Sequence, residues 1–417
     1  MTENPAKATK PLKILLLNQT FYPDVVATAQ YLTDLALQLK DRGHDVTVIS
    51  GRRAYDQSEK EFAGQEEWRG IHIRRVWASR FGKLAKWRRA ADFATFLLNC
   101  CWQLLWLPRQ DVTLALTSPP LISWIGAWFT RLRGGRFCYW VMDMNPDEAV
   151  AAGWLREGSL VARVLESFSR FSLRTASRIV VLDRFMQERV LRKGVSAEQV
   201  SIISPWSLDE KVRFDGAGRE AFRRKHGFRE RFVVMHAGNH SPCHPLDTLI
   251  EAAILLRENR DIVFCFQGGG SELAKVRQRA VTEKLPNVIC LPYQPVEQLS
   301  AALSAADLHA VVMGNPFVGT IHPCKIYNAL AVGSPILYLG PAESHVVDIL
   351  NNAGMQVPQV AVRHGEAQRL ADGIVACSQQ RRRITPTDQP RVAVLCSRAN
   401  LLPRMISAVE GGVGEGF

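Results

Sequence analysis

Two successive series of short apolar runs, each run followed by an amphipathic segment, constrain this chain more than any other feature of its sequence. Behind the first run, Thr28–Arg42 carries apolar residues at helical spacing and Gly43 ends it. Alternation of strands and helices predicts a parallel sheet covered by helices. The predicted strands are Lys13–Asn18, Val46–Ser50, Ile71–Val76, Val112–Thr117 and Phe137–Met142 in the first series, and Phe232–His236, Ile262–Gln267, Val288–Leu291, Leu308–Val312 and Pro335–Leu339 in the second.

The two series predict two domains. An irregular polar stretch over 202–227 separates them, and 417 residues accommodate two or three domains at about 150 residues each. We therefore predict an α/β chain of two facing Rossmann-like domains with a central cleft, one over 1–205 and one over 206–390. A last helix, Arg391–Val409 within 391–417, is expected to pack back toward the N-terminal domain.

Composition limits the partners and the compartment. Lys and Arg number 52 against 40 Asp and Glu, a net charge of +12 that favours anionic partners. The nine cysteines are irregularly spaced and several lie in apolar runs, which indicates a reducing compartment. Because no secretory leader and no apolar stretch of about 20 residues is present, we expect a cytoplasmic protein that does not span a membrane.

Dinucleotide and P-loop chemistry are disfavoured. The loop after the first strand, residues 18–24 (NQTFYPD), has no glycine, whereas a dinucleotide site needs G-x-G-x-x-G there. No G-x-x-x-x-G-K-[ST] sequence occurs either. Gly268–Gly270 follows a predicted strand and opens a helix, but a glycine triplet alone is equally compatible with a tight turn.

Several segments together resemble the opening and the C-terminal motifs of family-4 glycosyltransferases. They extend from Lys13 to about residue 355, and the colanic-acid and O-antigen type of bacterial enzyme is the most similar branch. The segments are 18–24 (NQTFYPD), 27–30 (ATAQ), 42–48 (RGHDVTV), 237–239 (AGN) with 246–253 (LDTLIEAA), and 323–335 (PCKIYNALAVGSP).

This resemblance implies the GT-B fold, in which the C-terminal domain holds the donor nucleotide and the N-terminal domain the acceptor. It also implies a retaining transfer from an NDP-sugar, with no cofactor and no obligatory metal. Basic groups and helix N-termini would then stabilise the departing diphosphate, which is electrostatic catalysis.

The resemblance assigns donor-side residues to the second domain. Gly238 and Asn239 end a strand, where backbone N–H groups can meet a diphosphate, although an ordinary loop glycine is the alternative. Lys325 opens a helix and is predicted to place a catalytic cation on a phosphate oxygen, unless it is simply solvated. Residues expected near the base or ribose are Gly268, Gly269, Tyr293 and Gln294.

On the acceptor side, Asp143 follows the strand Phe137–Met142 and matches an Asp-containing element of the family. It is predicted either to orient or deprotonate an acceptor hydroxyl, as a catalytic residue, or to cap the next helix. The first loop of the N-terminal domain, from Gln19 to Asp24, is expected with Thr28 to face the donor sugar or the acceptor.

The chain departs from the family pattern at the E-x7-E pair. Thr320 and Asn328 stand where the family has its two glutamates. Asparagine still hydrogen-bonds ribose hydroxyls, but it is neutral and shorter. This leaves a noncatalytic GT-B protein, a sugar-nucleotide-binding or scaffold partner, as an alternative to a glycosyltransferase; a GT-B nucleotide-sugar epimerase is another.

A second departure replaces the basic residue expected after Gly238–Asn239. Histidines and cysteines from two loops would line one pocket in this fold. The favoured hypothesis is that His240 or His244 donates hydrogen bonds to phosphate and titrates near neutral pH. Zinc binding and a purely structural role are the alternatives; no metal is predicted, because the spacing is not that of a zinc finger. The residues are His240, Cys243, His244, His322 and Cys324.

The segment 69–109 suggests a membrane surface. It carries nine basic residues and one acidic residue, Asp92, next to an apolar run rich in Trp. This pattern is typical of a helix lying in the plane of a membrane, and a core helix with a basic flank is the alternative. Nucleic acid is disfavoured, since no recognition motif is present. We therefore expect a peripheral protein on the inner face of the cell membrane that acts on a polyprenyl-diphosphate-linked or envelope-glycan acceptor.

Overall fold

The computed structural model describes residues 10–24, 26–54, 61–82, 86–207, 212–352, 360–380 and 394–411. Strands and helices alternate along almost the whole of this range. Numbered in chain order, the strands are β1 Lys13–Leu17, β2 Asp45–Gly51, β3 Gln65–Trp68, β4 Ile71–Val76, β5 Val112–Ala115, β6 Arg136–Trp140, β7 Arg178–Val181, β8 Val200–Ile202, β9 Phe232–Asn239, β10 Ile262–Gly269, β11 Val288–Leu291, β12 Leu308–Val312, β13 Ile336–Leu339 and β14 Val360–Val362.

The helices occupy the connections between these strands. They are α1 Ala27–Asp41, α2 Lys86–Leu105, α3 Ile122–Arg133, α4 Asp147–Ala151, α5 Leu160–Thr175, α6 Arg184–Arg192, α7 Gly216–Lys225, α8 Asp247–Leu255, α9 Ser271–Thr282, α10 Val296–Ser304, α11 Lys325–Ala331, α12 His345–Asn352, α13 Ala367–Gln379 and α14 Arg398–Glu410.

The chain divides into two compact units. The first comprises Met1–Ile203 together with Leu402–Phe417, and the second comprises Ser204–Leu401. In the first unit, eight strands pair in the order β3-β4-β2-β1-β5-β6-β7-β8. All neighbours run parallel except the β3–β4 pair at the edge, which is antiparallel. The strand order reverses between β1 and β5, and this reversal marks where ligands bind in sheets of this class.

The second unit has a six-stranded parallel sheet in the order β11-β10-β9-β12-β13-β14. Counted from β9, this is the strand order of the doubly wound dinucleotide-binding fold. Its order reverses between β9 and β12. The predicted strands of both series are present, and the predicted fold class of parallel doubly wound α/β domains is confirmed.

The core of the second unit lies on both faces of its sheet. Alternate residues of β9 point to opposite sides: Phe232 and Val234 pack in one apolar cluster, and Val233 and Met235 pack in another. A parallel sheet needs this double cover, because the crossover helices lie on both faces. It explains why these strands consist of continuous apolar residues rather than alternating ones.

Two regions differ from the predictions. The stretch 202–227 is not wholly irregular, because α7 lies within it and is capped by the Asp215 side chain, which accepts from Gly218 N at 2.8 Å. The predicted last helix is interrupted: Val394 and Leu395 are helical, a turn follows at Cys396 and Ser397, and α14 then begins at Arg398, while residues 391–393 lie outside the described range. In α14, Glu410 Oε1 accepts from His44 Nε2 at 2.9 Å, within the first unit.

Within the described residues, no helix is both long and apolar enough to cross a membrane.

A buried carboxylate, Asp307, ties α7 to two strands of the second unit. Its oxygens accept from Arg219 Nη2 at 2.6 Å, from Arg223 Nη1 at 3.0 Å and from Val233 N at 2.8 Å. Both arginines come from α7, Val233 belongs to β9, and Asp307 immediately precedes β12. A buried charge with this many partners holds its neighbours in place, and its removal leaves two guanidinium groups without their anion.

We expect Asp307→Asn to lower the free energy of unfolding by about 3 kcal/mol, because the two arginines lose a buried countercharge. The measurement is the urea midpoint of the variant against the parent. Asp372→Asn, which removes an exposed carboxylate bonded to Gln368, is the control and is expected to cost less than about 0.5 kcal/mol. Equal shifts in the two variants would contradict this account of Asp307.

Candidate functional site

The predicted donor-side residues lie where β9 and β10 end, beside the strand-order reversal of the second unit. The two strands pair to their last residues, with Gly268 opposite Gly238 and Gly269 opposite Asn239. Residues at this edge of a parallel sheet are the ones that meet a ligand. The pairing of β9 with β10 therefore brings together two predicted segments, at Gly238 and at Gly268, that lie 30 residues apart in the chain.

Glycine is required at this edge by space as well as by conformation. A Cβ on Gly268, where φ is +136°, would lie 1.9 Å from the carbonyl oxygen of Gly238. A Cβ on Gly270, where φ is +126°, would lie 2.4 Å from the carbonyl oxygen of His240. No side chain fits at such distances, so these glycines allow two backbones to approach closely. The simple tight-turn interpretation of the triplet does not explain this contact.

Lys325 is the cation at this edge. It opens α11, is half-buried, and its stem lies on Gly238, whose added Cβ would be 3.1 Å from Lys325 Cε. Its Nζ donates to the carbonyl oxygen of Asn239 at 2.5 Å and lies 3.1 Å from His236 Nε2. An ammonium has three donors, so one N–H has no partner among the described residues. Lys325 is therefore held in place rather than freely solvated.

Burial makes Lys325 a weaker base than an exposed lysine. It lowers the pKa of Lys325 to about 7, and Cys243 and Cys324 act in the opposite direction. The ammonium is thus partly deprotonated near neutral pH. An anionic ligand at this position would favour the charged form.

The histidines beside Lys325 are neutral, which corrects one prediction. His240 is fully buried, and burial together with the nearby Lys325 charge lowers its pKa to about 4. Burial and the same charge also hold the pKa of His244 well below its usual range. Its Nδ1 lies 2.7 Å from the carbonyl oxygen of Val312. Neither ring is a cation near pH 7, which contradicts the predicted titration of His240 or His244 but does not test their hydrogen bonding to phosphate. Lys325 is the group with a pKa near neutral.

His236 was not singled out from the sequence. It lies on β9, is 1 % exposed, and its Nδ1 lies 2.8 Å from the carbonyl oxygen of Ala310. Its ring centroid is 4.8 Å from that of His240 and 6.1 Å from that of His244. The available sequence signal was a histidine at the end of the apolar strand FVVMH. From sequence alone this is a core position, because the contact with Lys325 depends on how the later strands and helices pack.

His322 belongs to a second ring cluster in the same unit. Its Nε2 lies 2.6 Å from the Tyr327 hydroxyl, and its ring stacks on His345 with centroids 3.8 Å apart. All three rings are buried. Cys324 donates to the carbonyl oxygen of His322 at 3.3 Å, so this thiol faces backbone oxygen. In the histidine cluster beside Lys325, the Nδ1 atoms of His236 and His244 both face carbonyl oxygens.

The other predicted donor-side residues occupy more exposed or already bonded positions. The Tyr293 ring lies against Gly269, where an added Cβ would be 2.8 Å from Tyr293 Cε2, and is 54 % exposed. Gln294 donates to the carbonyl oxygen of Pro292 at 3.0 Å. Thr320 is buried and donates to the carbonyl oxygen of Phe317 at 2.9 Å. Asn328 is half-buried on α11, one turn beyond Lys325.

In the first unit, the predicted acceptor-side loop lies at the strand-order reversal between β1 and β5. Gln19 N donates to the carbonyl oxygen of Ser118 at 2.7 Å, which joins the loops that follow these two strands. The hydroxyls of Thr28 and Thr20 are 3.1 Å apart, and Asp24 N donates to the carbonyl oxygen of Phe21 at 3.0 Å. These contacts order the loop internally.

Asp143 follows β6 and has an acidic neighbour, Glu148, that the sequence argument missed. Burial raises the pKa of both carboxyls, and the Asp143 charge raises that of Glu148 further, while Arg89 opposes the shift. Such a pair retains a proton at a higher pH than two exposed carboxyls. The capping alternative for Asp143 is not observed, since Pro146 precedes α4 and Asp147 stands in its first turn.

Comparison with known proteins identifies the family of the chain. Residues 27–206 match the model of the glycosyl transferase 4-like domain, and residues 218–376 match that of glycosyl transferases group 1. The chain belongs to the glycosyltransferases of the family-4, GT-B type. The predicted family and the predicted class of enzyme are thereby confirmed.

Two relatives have curated names. The chain is 25 % identical over 338 residues to a protein of Escherichia coli (strain K12) named as colanic acid biosynthesis glycosyl transferase WcaI, covering 77 % of this chain and 82 % of that protein. It is 25 % identical over 248 residues to a protein of Pseudomonas aeruginosa named as glycosyltransferase WbjE, covering 59 % of this chain and 62 % of that protein.

Two solved structures share the fold. Anabaena HepE, crystallised with UDP and glucose, has a TM-score of 0.69 at 17 % identity and covers 96 % of this chain and 98 % of its own. WaaG, a glycosyltransferase involved in lipopolysaccharide biosynthesis, has a TM-score of 0.66 at 16 % identity and covers 96 % of this chain and 100 % of its own.

We expect Gly268→Ala to destabilise the second unit by at least about 2 kcal/mol, because the new Cβ would collide with the Gly238 carbonyl oxygen. Gly227→Ala is the matched control: its φ is +68°, but nothing lies within 4 Å of an added Cβ. The control therefore carries only the conformational cost of about 1 kcal/mol. Urea unfolding measures both, and a Gly268→Ala cost no larger than that of the control would contradict the close approach.

Proposed function

We propose that this glycosyltransferase moves a sugar, with retention of anomeric configuration, from an NDP-sugar to a polyprenyl-diphosphate-linked or other envelope-glycan acceptor. The names of the relatives support a polysaccharide pathway, and the UDP and glucose in HepE support a nucleotide-sugar donor. The family is shared, whereas the donor, the acceptor and the stereochemistry are our inference.

The observation that carries this proposal is the held Lys325 ammonium at the end of β9. Two of its donors are directed to Asn239 and His236, and the third is left for an oxygen of a ligand. Beside it, the glycines at 238 and 268 leave the backbone open to a close approach. A diphosphate bound here would gain a charge-assisted hydrogen bond that strengthens as the leaving group takes up negative charge.

On the acceptor side we assign Asp143 the role of orienting the attacking hydroxyl. Its raised pKa makes it a better base than an exposed aspartate, because a carboxylate with a pKa nearer the working pH accepts a proton more readily. Glu148 would hold the shared proton and keep the pair from carrying two charges. Gln19 and Asp24, on the loop after β1, and Thr28 would face the donor sugar or the acceptor in this scheme.

The neutral residues at the E-x7-E positions favour a second candidate, a noncatalytic donor-binding protein. Thr320 already donates its hydroxyl to a carbonyl oxygen, and Asn328 carries no charge. We assign Asn328 to the ribose hydroxyls, which an amide can bond without a charge. A GT-B epimerase differs from both because it would change the sugar without an acceptor.

The experiment is a panel of UDP-, GDP-, ADP- and dTDP-sugars, each incubated with the protein and a membrane extract containing lipid-linked glycans, with and without chelator. Transfer of the labelled sugar to lipid supports the proposal, and the anomeric configuration of the product tests retention. Binding without transfer favours the noncatalytic protein, and a changed free nucleotide sugar favours the epimerase. Loss of activity on chelation would contradict the predicted absence of a metal.

We expect affinity for the NDP-sugar to fall as pH rises from about 6 to about 8.5, because Lys325, with a pKa of about 7, loses its proton over this range. The sugar-linked diphosphate does not titrate in this range. The terminal phosphate of a free NDP has a pKa of about 6, so its own titration would add to the affinity profile.

Two variants sharpen this test. Lys325→Arg keeps its charge and is expected to flatten the fall, and Lys325→Met is expected to bind about tenfold more weakly at pH 6 and to lose the pH dependence. Calorimetric titration measures all three proteins. A parent profile that stays flat between these pH values would exclude Lys325 as the titrating group.

For the membrane surface we propose an exposed apolar face on α2 and α3. On α2, Phe96, Cys100 and Leu104 are buried in the core, which agrees with the core-helix alternative for that face. The other side of the same helix is exposed, which agrees with the membrane alternative. The exposed residues are Leu98 (70 %), Trp102 (60 %), Leu105 (60 %) and Trp106 (72 %) on or beside α2, and Leu132 (75 %) on α3.

Basic residues flank this face at both ends. Arg88 and Arg89 lie in the first turns of α2, and Arg131 and Arg133 lie in the last turn of α3. Arg133 Nη2 donates to the carbonyl oxygen of Leu105 at 2.7 Å, which joins the ends of the two helices. Exposed Trp and Leu next to arginine favour the interface of an anionic bilayer.

We expect the double variant Trp102→Ser, Trp106→Ser to lose at least about tenfold in affinity for phosphatidylglycerol vesicles at low salt, since two buried indoles contribute several kcal/mol at a bilayer interface. Val281→Ser, which removes a side chain that is 79 % exposed in the second unit, is the control. Sedimentation measures vesicle binding, and NDP-sugar affinity checks the fold. Equal vesicle binding by all three proteins would count against this face.

A further inference from the structure

We infer that His236 is a positioning residue for Lys325: the neutral imidazole accepts a hydrogen bond from the ammonium and directs its remaining N–H toward the donor diphosphate. This inference rests on the proposed function of Lys325. None of the motifs that mark the family includes His236, which the fold brings to Lys325 from 89 positions away in the chain.

The hydrogen bonds of the His236 ring fix its tautomer. Nδ1 lies 2.8 Å from the carbonyl oxygen of Ala310, and a carbonyl only accepts, so Nδ1 carries the hydrogen. In a neutral ring Nε2 then has a lone pair, and it faces Lys325 Nζ at 3.1 Å. The Ala310 carbonyl, on β12, thus fixes the tautomer of His236. As a result, the ring presents a hydrogen-bond acceptor to Lys325. The imidazole links the two strands at which the sheet order reverses.

The surroundings keep this ring neutral. His236 is buried, and burial with the Lys325 charge holds its pKa well below the usual range. Two other histidines face this pair, His240 and His244 from the loop after β9, and burial lowers the pKa values of both, which keeps them neutral. Cys243 and Cys324 also lie near, and their interaction with Lys325 raises its pKa.

A neutral acceptor suits this task better than a carboxylate would. A carboxylate would hold the ammonium equally firmly, but it would cancel the charge and repel a diphosphate. An imidazole lone pair and the Asn239 carbonyl oxygen orient the ammonium and leave its charge uncompensated. Both acceptors also favour the charged form of Lys325, so they oppose the effect of burial on its pKa.

Three proteins test this role. His236→Phe fills the same space but removes the acceptor, and His236→Gln offers an amide oxygen near the former Nε2 position. His309→Phe is the matched control, because His309 is equally buried in the same sheet, lies on β12 and bonds the Leu303 carbonyl oxygen at 2.9 Å. This variant shares the stability cost of replacing a buried histidine by phenylalanine. The hydrogen bond that it loses goes to the Leu303 carbonyl oxygen and not to Lys325.

The first readout is the pKa of Lys325 without any ligand, measured by the pH dependence of its acetylation with mass spectrometry. Removing an acceptor disfavours the ammonium, so we expect His236→Phe to move the midpoint down by about one pH unit. His236→Gln should restore most of this shift, and His309→Phe should leave the midpoint unchanged. An unchanged midpoint in His236→Phe would overturn the inference, whether or not the protein binds an NDP-sugar.

The second readout is calorimetric affinity for UDP-glucose, or for whichever NDP-sugar binds best in the panel. We expect His236→Phe to weaken binding about tenfold near pH 7 and to shift the falling limb of the profile to lower pH. A uniform loss at every pH, shared with His309→Phe, would indicate a purely structural role and overturn the inference. No binding by the parent protein would defeat the proposed function alone, since the acetylation readout still decides the role of His236.

Discussion

The pairing of β9 with β10 down to their final residues is the constraint on which the donor-side region depends. Gly268 faces Gly238 across this pair, and no side chain fits between them. Because Gly238 also lacks a side chain, the stem of Lys325 lies directly on the backbone. Lys325 thereby reaches both Asn239 and His236 from the start of α11. The close backbone approach that only glycine permits at positions 238 and 268 thus determines where the Lys325 ammonium is held.

Burial then determines the charges of the site. The same desolvation that keeps the three histidines neutral also weakens Lys325 as a base, so the region holds at most one positive charge near neutral pH. In such surroundings a single ammonium interacts more strongly with an anion than it would in water. Under the proposed function, the affinity for the donor diphosphate would therefore be sensitive to small changes around Lys325.

Much of this could be predicted from sequence, for identifiable reasons. Continuous apolar runs such as Phe232–His236 revealed the parallel strands, and the glycine and lysine motifs lay where the fold brings them together. The protonation state of His240 could not be predicted, because it depends on neighbours from other strands. The roles of His236 and Glu148 were missed for the same reason: a polar residue at the end of an apolar strand or within a short helix has no distinctive pattern. Periodicity was also ambiguous for α2, since both of its faces are apolar.

The two units place opposite chemistry beyond the ends of parallel strands. The carboxyl pair of Asp143 and Glu148 follows β6 in the first unit, and Lys325 lies beside the end of β9 in the second. The first presents two carboxyls whose pKa values are raised, and the second presents an ammonium whose pKa is lowered. A group that takes a proton suits the activation of a hydroxyl, and a group that holds positive charge suits a departing diphosphate. In the proposed reaction the first unit would therefore supply the proton acceptor for the hydroxyl and the second the positive charge for the diphosphate, a division that follows from this difference in burial and charge.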